Sequence, residues 1–167
     1  SPNPSWPEGT RQISELRLSL RVQPTGLLSG LTGPRTVHID IVDYPGEWLL
    51  DLGLLDLGYE QWSKAAIARA KGRPLGDEFL QMLQAVDPDA PLNEMQAKSL
   101  TAAFTAHLNA SREAGFSDCT PGRFLLPGDL KGSPVLTFAP LGAHAGLRKS
   151  LGREFARRYE SYKHNVV

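Results

Sequence analysis

Asp43-Tyr44-Pro45-Gly46 closes a run of β-branched residues, and its outer two members have the types needed for magnesium and phosphate chemistry. A carboxylate at the tip of a strand can hold Mg²⁺ through water. The glycine can give its backbone N–H to a terminal phosphate at a distance that no side chain would permit. Together they can sense whether that phosphate is present. The bland alternative is a strand-ending turn, since Asp-x-x-Gly arises by chance about once in a few hundred residues. A second copy, Asp129-Leu130-Lys131-Gly132, follows Pro127-Gly128 without a strand leading into it and is read as a turn.

Other chemistries find little support. His38, His107, His144 and His164 lack metal-ligand spacing, and no Gly-x-Ser-x-Gly nucleophile elbow occurs. Cys119 is the single cysteine, so an internal disulfide and a Cys-rich zinc site are both excluded. Eighteen basic residues balance eighteen acidic ones, which argues against a non-specific nucleic-acid binder and against a polybasic membrane anchor. No stretch is apolar enough to span a membrane, and no leader pattern opens the chain. A phosphate-cradling Gly-x-x-x-x-Gly-Lys-[Ser/Thr] string is absent, as is a guanine-reading Asn-Lys-x-Asp. Gly146-Leu147-Arg148-Lys149-Ser150 has the wrong spacing for such a loop.

The elements that would position these residues are readable from periodicity. Residues 1–9 hold three prolines and are read as irregular. Leu16, Leu18, Leu20 and Val22 alternate with polar residues, the period of a half-buried strand. Thr36 to Asp43 gives a second strand with Val37, Ile39 and Ile41 on one face, and the two are expected to pair antiparallel. Helices are expected over Tyr59–Lys71, Asp77–Val86 and Asn93–Ala114, the last with Met95, Leu100, Ala103, Phe104 and Leu108 inward. Phe124–Leu126 and Val135–Phe138 are short apolar runs of undecided type. A final helix from about Leu147 carries Leu147, Leu151, Phe155 and Tyr162 inward, and Arg148, Lys149, Arg153, Arg157, Arg158 and Lys163 on a solvated face. That basic face could alternatively dock an acidic partner or lipid headgroups. Three consecutive helices beside strands give three regions: 1–58 with the strand pair, 59–115 as a helical insertion, and 116–167 as a loop-rich return with the last helix.

Two longer stretches, Trp6-Pro-Glu-Gly-Thr-Arg-Gln-Ile-Ser-Glu-Leu-Arg-Leu18 and Ile39-Asp-Ile-Val-Asp-Tyr-Pro-Gly-Glu-Trp-Leu-Leu-Asp-Leu52, resemble signatures of the YcjX family of bacterial stress-associated P-loop proteins. Phe124-Leu-Leu-Pro-Gly-Asp-Leu130 and Arg158-Tyr-Glu-Ser-Tyr-Lys163 resemble later segments of the same family. The resemblance implies an α/β fold, a Ras-like P-loop NTPase core with a helical insertion, of which this chain holds the middle. It implies binding and hydrolysis of a nucleotide, GTP ahead of ATP, with Mg²⁺, as a switch in the bacterial stress response. Within that frame Thr10 is the threonine of the first switch, serving Mg²⁺ and the γ-phosphate, while Asp43 serves Mg²⁺ and Gly46 the γ-phosphate. Glu47 stands where many such proteins place the residue that orients the attacking water; an ion pair or a helix-start carboxylate is the competing reading. Arg11 is a weaker candidate for transition-state charge, and Trp48 is read as a packing anchor.

The phosphate loop and further sheet of that family would lie outside this chain, so an excised piece, silent by itself, is the expectation. The expected compartment is the cytoplasm, with the membrane periphery as a second location. The rival function is a non-enzymatic α+β interaction module whose helical region binds a protein partner.

Overall fold

The structure is a computed structural model that describes residues 13–23 and 34–167. It mixes strands and helices and divides into two compact units, residues 1–46 and 47–167. Thr10 and Arg11 lie outside the described residues.

In the first unit β1 (Ser14–Val22) and β2 (Arg35–Asp43) pair antiparallel, as their periodicity predicts. The register sets Leu16 opposite Ile41, Leu18 opposite Ile39 and Leu20 opposite Val37, so one face is continuously apolar. The other face carries Arg17, whose Nε and Nη2 donate to the two Asp40 carboxylate oxygens at 2.5 and 2.9 Å. Ser19 Oγ meets His38 Nδ1 at 2.9 Å on that same side. The expected half-burial is not realised: Leu18 remains 39% and Ile39 41% exposed, because nothing among the described residues of this unit covers the apolar face.

The second unit is helical and self-sufficient in core. It holds α1 (Gly46–Leu49, whose first residue closes the first unit), α2 (Tyr59–Ala70), α3 (Gly76–Gln84), α4 (Glu94–Glu113), α5 (Gly122–Leu125) and α6 (Leu151–Val166). Trp62 and Tyr159 stack at 4.8 Å between centroids at the middle of the core. Phe79, Phe104, Phe124, Phe138 and Tyr162 surround them edge-on or tilted, the geometry favoured by the ring quadrupole. The helices at 59–113 and the return segment after 116 therefore share one core.

Helix limits follow capping chemistry. Asn93 Oδ1 accepts the N–H groups of Met95 and Gln96 at 3.0 and 3.2 Å and starts α4, and Gly115, at φ +93°, terminates it in a conformation that favours glycine. The last helix starts at Leu151 rather than near Leu147. Ser150 caps it through the Arg153 N–H at 3.3 Å, and Gly146 and Lys149 before it have positive φ. Leu147 and Met95, both expected inside, are 55% and 81% exposed; Leu151 and Ala97 take the inward positions. Phe124 and Leu125 of the first short apolar run lie in the single turn α5, with Leu126 just past its end, and Pro134–Leu136 forms a short 3₁₀ turn. The 129–132 copy of Asp-x-x-Gly is a 3₁₀ turn over Gly128–Leu130 followed by Gly132 at φ +82°.

Candidate functional site

Val37, Ile39, Ile41 and Val42 keep β2 extended until Asp43, where Tyr44-Pro45 ends the ladder because proline has no N–H to donate. Helical geometry begins at Gly46, so Asp43 and Gly46 flank a strand-to-helix turn. Ser14 is the register partner of Asp43, which means that β1 begins where β2 ends. Gly46 has no positive φ, and a Cβ built there would meet no atom within 4 Å. Its own chain therefore does not demand a glycine at this position, although Gly53 and Gly58 share that freedom.

The residues after Gly46 are clamped. Glu47 pairs with the Arg112 guanidinium from the last turn of α4, and the side chains are 17% and 47% exposed. A cation at a helix C-terminus also complements that helix's dipole. Trp48 donates its indole N–H to the Leu126 carbonyl at 2.9 Å. The Arg123 guanidinium lies 3.3 Å from the centroid of the same ring and reaches Asp129 at 3.3 Å. Gly122 packs so closely beneath this turn that a methyl group there would overlap the Glu47 carbonyl.

Asp51 completes the clamp and was not among the candidates read from sequence. It is 2% exposed, accepts the Gly122 N–H at 2.8 Å and takes a hydrogen bond from the Tyr162 hydroxyl. Burial raises its pKa above the ordinary carboxylate value, against the hydrogen bonds from Tyr162 and Gly122 that work to lower it. The signal that could have found it is a lone acid in the apolar run Leu49-Leu50-Asp51-Leu52, where an unpartnered charge would be unaffordable. Arg112, Arg123 and Tyr162 gave no comparable signal, because the clamp residues they meet, Glu47, Trp48 and Asp51, lie 65, 75 and 111 residues away along the chain.

The basic helix also departs from expectation. Arg158 is buried rather than solvated: it donates to Glu154 at 2.8 Å, to Glu94 at 2.5 Å and to the Thr137 carbonyl at 3.0 Å. Burial alone would lower its pKa, but its hydrogen bonds to Glu94 and Glu154 outweigh that and hold it raised. Lys163 donates to the Leu57 carbonyl at 2.9 Å. Tyr159 donates to that same carbonyl at 3.0 Å. His107 is a core residue whose Nδ1 meets the Pro74 carbonyl at 2.8 Å. Among the described residues no three His, Cys, Asp or Glu side chains are grouped to hold a metal by themselves. No described helix is long and apolar enough to cross a membrane.

Three of the four segments that carried the resemblance thus meet one another: Trp48 and Asp51 of the 39–52 stretch bond Leu126 of 124–130 and Tyr162 of 158–163, and the Phe124 and Tyr162 rings are in contact. A sequence profile of the YcjX-like family, DUF463, matches residues 1–167. The chain belongs to the YcjX-like family. Among curated proteins, it is 40% identical over 140 residues to the Ras-like GTPase YcjX of Escherichia coli (strain K12), covering 82% of this chain and 30% of the relative. It is 42% identical over 143 residues to the Ras-like GTPase YcjX of Shewanella oneidensis (strain MR-1), covering 83% of this chain and 30% of that relative. The YcjX-like chain described here therefore spans about 30% of the length of these relatives.

Proposed function

We propose that this chain supplies the switch turn and the helical body of a nucleotide-hydrolysing switch protein, with GTP as the nucleotide. The observation that carries the reading is the strand-to-helix turn, with Asp43 as the last residue of β2 and Gly46 as the first of α1, in a chain whose relatives are named Ras-like GTPases. A strand-tip carboxylate followed by an uncrowded glycine fits a hydrated divalent cation and a phosphate oxygen. Bound Mg²⁺ would neutralise charge on the phosphates. Asp43 would hold the water shell of that ion, Thr10 would add a hydroxyl to it, and Gly46 would donate its N–H to the terminal phosphate. Glu47 would accept a hydrogen bond from the attacking water.

The phosphate-binding loop and the base-reading residues belong, in this reading, to the full-length protein, a Ras-like P-loop NTPase core whose further chain covers the apolar face of β1 and β2. Hydrolysis by the 167-residue chain alone is not expected, because phosphoryl transfer needs the phosphates held before charge stabilisation can act. The physiological setting we assign is the bacterial stress response.

The test is calorimetric titration of GTP-Mg²⁺ and ATP-Mg²⁺ into the full-length protein and its Asp43→Ala variant. Loss of about tenfold or more in Mg²⁺-dependent affinity or turnover is expected, the scale of one charge-assisted ligand. Unchanged affinity and turnover would sink the role of Asp43. No nucleotide binding by the full-length protein would favour an interaction module instead.

A further inference from the structure

We propose that Arg112 is a latch on Glu47, holding its carboxylate off the attacking water and so restraining hydrolysis. The inference rests on the nucleotide-switch reading above and adds a regulator to that site.

The backbone around Glu47 has little freedom. Gly122 presses on its carbonyl, the Trp48 indole is fixed by Leu126 and Arg123, and Asp51 is bound by Gly122 and Tyr162. What remains free to choose is the Glu47 side chain, and it is committed to Arg112. A carboxylate engaged by a guanidinium offers fewer lone pairs to water and is a weaker acceptor for water's proton. Glu47 therefore cannot serve Arg112 and the attacking water equally well.

The character of the pair separates a latch from a pillar. Arg112 is 47% exposed, on a helix end, and its partner Glu47 keeps 17% exposure, so when the pair opens the guanidinium returns to water and the carboxylate is not sealed from it. Asp51, at 2% exposure with two donors from distant elements, is the pillar: it cannot release its partners without unpairing buried groups. The fold thus holds the turn rigid and leaves one reversible contact at the residue assigned to water. Opening it requires only rotation of two side chains.

The measurement is single-turnover GTP hydrolysis by the full-length protein, comparing wild type with Arg112→Ala, Arg112→Gln, Glu47→Gln and the Arg112→Ala/Glu47→Gln double variant. Affinity for a fluorescent GTP analogue and the thermal midpoint are followed in parallel. Both Arg112 variants should hydrolyse about threefold faster, the factor an exposed ion pair of ordinary strength can hold back, with affinity and midpoint nearly unchanged. The double variant should lose that gain. Unchanged or slower hydrolysis in both Arg112 variants, with Glu47→Gln impaired, overturns the latch alone. A Glu47→Gln protein with the wild-type rate overturns the water role of Glu47 instead.

Discussion

Replacing Asp51 by alanine removes the shared acceptor of the Gly122 N–H and the Tyr162 hydroxyl, both in the buried interior. A buried donor left unsatisfied costs about 1–3 kcal/mol, so two cost roughly 2–6 kcal/mol. Part of this is offset because the carboxylate, whose burial is itself unfavourable, is gone; a net loss of about 3 kcal/mol is expected. For a helical unit of this size that corresponds to a thermal midpoint lower by about 10 °C. Circular dichroism melts and urea titrations of the 167-residue chain measure it. Asp51→Asn separates charge from hydrogen bonding, since it keeps an acceptor for Gly122. Asp51 has a raised folded-state pKa, so its contribution to stability is fully present below the unfolded-state value and is lost as pH rises through the folded-state value. As pH rises above about 4 the wild type should therefore lose ground relative to Asp51→Asn. An alanine variant that melts within about 1 °C of wild type, or a wild-type–Asn difference independent of pH, would refute the clamp.

Two further outcomes follow from neighbouring geometry. Glu154 is held down to about 2 from 4.5, chiefly by hydrogen bonds from Arg157, against partial burial and with help from Arg158. Its contribution, on the order of 2 kcal/mol after solvent screening of the exposed Arg157, is present above about pH 4.5 and lost as pH falls toward 2. Glu154→Gln should be less stable than wild type at neutral pH and converge with it in acid, the opposite trend to Asp51; parallel melts over pH report it. Gly122→Ala forces a methyl group into the Glu47 carbonyl, backbone against backbone, and should destabilise by about 3 kcal/mol in urea titration, whereas the same change at Gly53, in open space, should cost less than about 1 kcal/mol.

Much of the local structure was legible because it is a local property. The period-2 pattern of Leu16 to Val22 and Thr36 to Asp43 encodes two strands, and two sequence neighbours joined by a loop most simply pair antiparallel, as they do. Asn93, Gly115 and the stripe through Leu100, Phe104 and Leu108 encode α4 to within a residue of its ends. The start of α6 was missed by four residues because Ser150 as a cap competes with apolar spacing that extends back to Leu147.

What the sequence by itself determined is the set of groups and their local geometry: a carboxylate at a strand tip, a glycine after it, a family, and a set of amphipathic helices. Only the tertiary structure decided which charges are structural. Glu47, Asp51 and Arg158 look alike as isolated ionisable residues in a string, yet Asp51 and Arg158 are buried within networks and Glu47 rests on a breakable pair. Their partners come from elements tens of residues away, and burial with its desolvation exists only once those elements pack. No local pattern along the chain can carry that information.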